Sequence, residues 1–224
     1  MPHPMNDTKP TLPAQLATEL LGTFFLLLSI SMVSSHLTAS TAHIAPLPIG
    51  LVLMTLVYIG GPISGAHYNP VVTIGLTLTG HSPWRKALPY MLVQFGGALL
   101  AAIVAIGIQT DAEQVAKSVA TEGFIVESLW TFLLMYVILQ VVSPTNRGKP
   151  WDGLAIGMTV ATGAWAVGPI SGAIFNPAVW AGLSFTGELS WNNWFLYIIA
   201  PLVGVLAAVL FNWITSMTIT DRDE

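Results

Sequence analysis

Six apolar stretches of membrane-crossing length dominate this chain, at roughly 16–36, 44–63, 88–108, 124–142, 153–170 and 194–214. Each is close to the ~20 residues that an α-helix needs to cross a ~30 Å hydrocarbon layer. Lipid offers the backbone no hydrogen-bond partner, so segments of this length must cross as helices. Only 8% of the residues are charged, against about 25% in a soluble domain, too few to clothe a water-facing surface. The expected fold is an all-α polytopic membrane protein, one unit over residues 1–224. The first fifteen residues lack the charged start, short apolar run and cleavage site of a signal peptide, so the first span is expected to be retained.

The position of the charges orients the spans. Lys9, Arg85, Lys86, Arg147, Lys149 and Arg222 fall in alternate connections, and Lys117 alone falls on the other side. By the positive-inside bias, both termini and the connections at 80–87 and 143–151 are expected on the cytoplasmic side of a cell (plasma or inner) membrane. There is no cysteine, which excludes disulfides and thiolate metal sites. No phosphate loop, catalytic triad or basic nucleic-acid patch is present, so no enzyme activity, cofactor, metal or nucleic-acid partner is expected.

The chain also repeats itself. Residues 61–72, Gly-Pro-Ile-Ser-Gly-Ala-His-Tyr-Asn-Pro-Val-Val, recur at 168–179 as Gly-Pro-Ile-Ser-Gly-Ala-Ile-Phe-Asn-Pro-Ala-Val, with nine of twelve positions identical. The same offset of 107 pairs Tyr90 with Tyr197, Gly97 with Gly204 and Ala101 with Ala208. An offset of 108 pairs Glu19, Thr23 and Phe24 with Glu127, Thr131 and Phe132. Three spans per half is an odd number, so the halves, about 14–110 and 122–217, are expected to be inverted about an axis in the membrane plane.

Each Asn-Pro pair opens an apolar stretch, 69–78 and 176–183, of about ten residues or ~15 Å of helix, half the hydrocarbon thickness. Both are expected to be re-entrant half-helices that meet near mid-bilayer. Asn is a favoured N-cap, and Pro at the first helical position gives up only a donor that is orphaned there anyway. Gly60, Gly61, Pro62, Gly65 and Gly168, Pro169, Gly172 are expected to supply a non-helical approach. Two helix N-termini that meet would each present roughly half a positive charge and disfavour cations.

The segments Ser64-Gly65-Ala66-His67-Tyr68-Asn69-Pro70-Val71 and Ser171-Gly172-Ala173-Ile174-Phe175-Asn176-Pro177-Ala178 resemble the paired Asn-Pro-Ala signatures of the aquaporin (major intrinsic protein) family. The resemblance runs from Glu19 to about Phe211, with Val71 where the family usually has Ala. It implies six transmembrane helices plus two half-helices, and a homotetramer with one pore per subunit in the bilayer. It implies a passive route for water and small neutral solutes. It also implies that Glu19 and Glu127 accept hydrogen bonds from the loops before each Asn-Pro, although an intramembrane carboxylate is also a candidate proton relay.

Counting from the motifs, the four family filter positions fall on Ile49, Ala164, Ala173 and Val179. Val179 stands where the family has a nearly invariant Arg, and no Lys or Arg occurs between Lys149 and Arg222, so no shift of register restores it. The polar lining is then expected to be backbone carbonyls, chiefly of Gly172, Ala173 and Ile174, with Gly65, Ala66, His67 and Tyr68 on the cytoplasmic side. Pore width and lining donors set selectivity, so this filter is expected to be wide, apolar and open to glycerol- or urea-like solutes as well as water. A ring of Trp165 or Trp180 turned inward would refill the space. The competing classes are a secondary transporter, because inverted repeats with broken helices also build those, and a closed-pore membrane organiser.

Overall fold

A computed structural model describes residues 9–36, 40–108, 121–146 and 148–220, with side-chain surroundings to residue 216. Lys117, Arg147 and Arg222, three of the charges used above to orient the spans, lie outside the described residues. Among those residues there are eight α-helices and no strand: α1 (Leu12–His36), α2 (Pro46–Ser64), α3 (Pro70–Leu78), α4 (Trp84–Ile108), α5 (Thr121–Val142), α6 (Asp152–Ser171), α7 (Pro177–Phe185) and α8 (Ala200–Thr220). Six helical segments are long and apolar enough to cross a membrane. The other two, α3 and α7, have nine residues each.

Two expectations need correction. The long helices do not break at Gly60–Pro62 or Gly168–Pro169: α2 and α6 run through both prolines and end at Gly65 and Gly172. An internal proline forfeits one N–H and crowds one carbonyl, which a packed helix can absorb. Reversing the chain requires the left-handed conformation that glycine adopts without steric cost. Gly65 and Gly172 supply it at φ 94° and 93°, and their N–H groups close on the Gly61 and Gly168 carbonyls. The helices also outrun their apolar blocks, so α4 takes in Arg85 and Lys86, α5 Glu122 and α6 Asp152. A first helical turn leaves N–H groups unpaired, and acidic side chains such as Glu122 and Asp152 are favoured beside them by the positive end of the helix. Within the six apolar stretches themselves Glu19 and Glu127 are the only Asp, Glu, Lys or Arg residues, and both are fully buried.

Close helix pairs follow the repeat. In the first half Gly97 of α4 lies on Leu20 O and Phe24 N of α1, and in the second Gly204 of α8 lies on Ser128 O and Phe132 N of α5. The partner positions are themselves 108 apart. A Cβ on Gly204 would stand 2.8 Å from the Phe132 nitrogen, so only glycine permits this approach, as is common between membrane helices. The central crossing of α2 and α6 uses the same device, with Gly50 against Gly157 and Gly153 against the Met54 carbonyl.

Side-chain volume is redistributed where the halves differ. The buried Tyr68 ring occupies the space over Gly22, and its hydroxyl donates to Leu56 O at 2.9 Å. In the second half the matching residues are Phe175, Trp130 and Gly163: the indole of Trp130 lies over Gly163 and donates to Thr159 O at 3.1 Å. A bulky residue and a glycine have exchanged helices, and the interior stays filled. A π-helical turn over Phe195–Ile199 leads into α8. It precedes Pro201, which cannot donate to the carbonyl four residues back.

Candidate functional site

The two loops that interrupt the helices, 65–68 and 172–175, have one conformation twice. Ala66 and Tyr68 take φ values of 52° and 50°, and Ala173 and Phe175 take 55° and 53°. Non-glycine residues rarely occupy this region, at a cost of order 1–3 kcal/mol each, so something must hold them. In the first loop it is Glu19. Its Oε1 accepts from Ser64 Oγ at 2.6 Å and His67 N at 2.9 Å, and its Oε2 accepts from Tyr68 N at 2.7 Å. Glu127 repeats this on Ser171 Oγ at 2.6 Å, Ile174 N at 3.0 Å and Phe175 N at 2.7 Å. Tyr90 and Tyr197 donate to the Ser64 and Ser171 carbonyls at 2.9 and 2.6 Å.

The loop N–H groups are consumed in this way. Those of Gly65, Ala66, His67 and Tyr68, and of Gly172, Ala173, Ile174 and Phe175, all donate to helix carbonyls, serine hydroxyls or glutamates. The carbonyls of Gly172, Ala173 and Ile174, and those of Gly65, Ala66 and His67, accept no bond from the described residues.

After each loop an asparagine starts a half-helix. Asn69 Oδ1 accepts from Val71 N, and Asn176 Oδ1 from Ala178 N and Val179 N. With the oxygens engaged as caps, the NH2 groups are fixed as the outward atoms. Asn69 Nδ2 donates to Phe175 O and Asn176 Nδ2 to Tyr68 O, both at 2.9 Å. Each NH2 has two hydrogens, so one remains for a visitor after the halves have been tied together.

A single cavity of about 810 Å³ passes both asparagines. Its lining includes Tyr58, His81, Lys149 and Asp152 on one side of the asparagines and Ile30, Ile49, Ala164 and Gly172 on the other. Ala173, Ile174 and Val179 line it on the far side of the asparagines, and Gly65, Ala66, His67 and Tyr68 on the near side. Pro70, Val71, Pro177 and Ala178 are buried behind the wall, and the two glutamates do not reach it. Neither Trp165 nor Trp180 lines this cavity: Trp165 is 51% exposed, and Trp180 packs edge-on against Trp191 at 5.2 Å.

Sequence comparison of the halves misses one polar cluster. Gln94 donates to Glu19 Oε2 at 2.9 Å and to Thr73 Oγ1 at 3.0 Å, and Thr73 Oγ1 meets His67 Nδ1 at 3.1 Å. At the matching positions the second half has Pro201, Trp180 and Ile174. Self-comparison passes over residues that occur once, and only the uncommon run of polar groups inside apolar helices signals them.

The family model described as "Major intrinsic protein" matches residues 8–212. The chain belongs to the major intrinsic protein family. A relative from Nicotiana alata described as an aquaporin of NIP type is 35% identical over 75% of this chain, which spans less than two thirds, 64%, of that protein. Aquaporin AqpM of Methanothermobacter marburgensis is 36% identical over 76% of each chain. Among solved structures, the aquaglyceroporin from Plasmodium falciparum superposes with a TM-score of 0.75 at 21% identity, covering 90% of this chain and 95% of that one. In this major intrinsic protein the two motifs read Asn-Pro-Val and Asn-Pro-Ala, and Val179 is buried in the first turn of α7.

Proposed function

We propose that this protein is a passive membrane channel for water and small uncharged solutes of glycerol or urea size, with an arginine-free filter formed by Ile49, Ala164, Ala173 and Val179. The observation that carries the proposal is the one cavity that passes both Asn69 and Asn176 and is lined by residues on both sides of them. A neutral solute would exchange bulk water for the open carbonyls of one loop, then the asparagine N–H groups, then the carbonyls of the other loop. The positive ends of α3 and α7 meet at the asparagines, and cations would be repelled there. A proton wire would be interrupted where both asparagines donate to the same molecule.

A channel accounts for the tie between the halves better than a transporter does. Each asparagine bonds the loop of the other half, which favours one fixed arrangement over alternating access. Family membership supports a homotetramer with a pore in each subunit. Lys149, with Arg85 and Lys86 at the start of α4, supports a cytoplasmic Lys149 end with both termini on that side. No step in this passage makes or breaks a covalent bond.

The test is stopped-flow light scattering on proteoliposomes, first with an impermeant osmolyte and then with glycerol. Water and glycerol flux above that of empty liposomes, linear in solute and indifferent to proton or sodium gradients, is expected. No flux above empty liposomes would overturn the channel.

A further inference from the structure

A groove of about 500 Å³ lies where the end of α3 packs against α8, and it shares no lining residue with the cavity. Along α8 its wall changes from apolar to polar: Leu206, Val209 and Leu210 come first, then Asn212, Trp213 and Ser216 toward the helix end. Residues 206 to 216 cover about 15 Å of helix, one leaflet's share of a ~30 Å hydrocarbon layer. Leu206, Leu210 and Trp213 are exposed, and a tryptophan ring favours the level of the lipid headgroups. The repeat does not account for the polar end, since α4 has Ala105 and Ile106 where α8 has Asn212 and Trp213.

The half-buried Asn212 sets what can occupy this end. Its Oδ1 accepts from Gln140 Nε2 at 3.1 Å, so its NH2 is a donor with no acceptor among the described residues. The hydroxyls beside it already donate, Ser216 Oγ to Asn212 O at 2.7 Å and Thr79 Oγ1 to Gly75 O at 2.9 Å. An occupant that fits is therefore an apolar chain that ends in a hydrogen-bond acceptor, and in a bilayer the acyl ester of a glycerophospholipid has that chemistry. Beyond Thr79 the chain reaches Arg85 and Lys86 at the start of α4, cations that attract a phosphate. The groove is also tied to the cavity. Gln140 O accepts from Asn146 Nδ2 at 3.1 Å, and Asn146 Oδ1 accepts from Lys149 Nζ at 2.8 Å, with Lys149 in the cavity wall.

We propose that this groove seats one acyl chain of a glycerophospholipid from the leaflet on the Lys149 side, with its ester on Asn212, and that its occupation steadies Asn146 and Lys149. A lipid that accepts from the Asn212 NH2 fixes the amide in the orientation whose oxygen faces Gln140, and so reinforces the path to Lys149. The seat does not require that the cavity conduct, so it stands or falls separately from the channel. The full chain is purified in detergent with palmitoyl-oleoyl phosphatidylglycerol, and retained lipid per chain is counted by native mass spectrometry. Leu206 and Val203 are 46% and 45% exposed on the same helix, but only Leu206 lines the groove, so Leu206→Trp fills the seat and Val203→Trp is its control. Asn212→Asp keeps an acceptor for Gln140 and removes the donor to the ester.

Leu206→Trp and Asn212→Asp are each expected to retain the lipid at least about threefold less than the unaltered protein, and Val203→Trp to retain it equally. If Leu206→Trp does not fold, Leu210→Trp makes the same comparison. Equal retention in Leu206→Trp and Val203→Trp overturns the seat. So does a Leu206→Trp protein that loses its subunits in place of its lipid, since the groove would then be a contact between copies. Hydrogen exchange reads the second part. Added phosphatidylglycerol is expected to slow exchange at the backbone N–H groups of Asn146 and Lys149 by about twofold or more, and to leave it unchanged in Gln140→Leu, which keeps the groove and cuts the tie to α8. Retained lipid with no slowing in the unaltered protein overturns the link between groove and cavity.

Discussion

Burying a carboxylate is costly unless donors surround it, and Glu127 shows what that cost secures. Its three bonds to Ser171 Oγ, Ile174 N and Phe175 N hold two residues in left-handed conformations that neither alanine nor phenylalanine would adopt alone. Glu127→Gln keeps the shape but turns an NH2 toward a donor, removing at least one charged hydrogen bond worth about 1.5–3 kcal/mol. A lower unfolding temperature in detergent and poorer membrane assembly are therefore expected, with the pH profile of residual flux little changed. Normal assembly with a lost pH dependence would instead make the residue a proton relay. Glu19 and Glu127 were legible in the sequence because they recur 108 residues apart. Gln94 and Thr73 were not, because Pro201 and Trp180 stand opposite them, and Ala66 and Tyr68 carry no residue signal for a positive φ that Glu19 imposes from another helix.

At the scale of elements, adjacent glycines of α4 make opposite predictions. Gly96 has nothing within 4 Å of an added Cβ, whereas a Cβ on Gly97 would collide with the Leu20 carbonyl and stand 3.1 Å from Phe24 N. Gly96→Ala is expected to stabilise by up to about 1 kcal/mol, since alanine is the better helix former. Gly97→Ala is expected to destabilise by about 1–3 kcal/mol, the usual cost of overpacking. Gly204→Ala, at the matching contact of α8 with α5, should fall on the same side as Gly97→Ala. Thermal unfolding of the three purified variants decides it, and a Gly97→Ala protein as stable as the Gly96→Ala one would mean that the two helices lie farther apart. The spans and half-helices could be read from apolar length and from Asn-Pro. The helix ends could not, because Pro62 and Pro169 look like breakers in a sequence, yet the chain turns only where Gly65 and Gly172 allow a left-handed cap.

Across the whole molecule, the proposed channel would have to exclude charge with Val179 at the position where the resemblance implies an arginine. What would remain is the meeting of two half-helix N-termini, each contributing up to about 2 kcal/mol against a cation in a partly buried setting, or roughly a thirtyfold change in occupancy. Asn176→Asp puts a carboxylate at that point. It would offset the positive ends of α3 and α7 and replace the Nδ2 donor that now bonds Tyr68 O. Vesicles holding the unaltered protein are expected to retain an imposed pH difference under a potassium diffusion potential, read with a trapped pH-sensitive dye. Vesicles with Asn176→Asp are expected to dissipate it about tenfold faster or more, at comparable water flux. Val179→Arg serves as the opposite case: it adds a fixed positive charge and bulk at the constriction, so it should lower the glycerol-to-water permeability ratio and leave the vesicles proton-tight. If the unaltered protein leaks protons and Val179→Arg seals it, the half-helix termini are too weak a barrier by themselves, and the exclusion of charge in this chain depends on the residue it lacks.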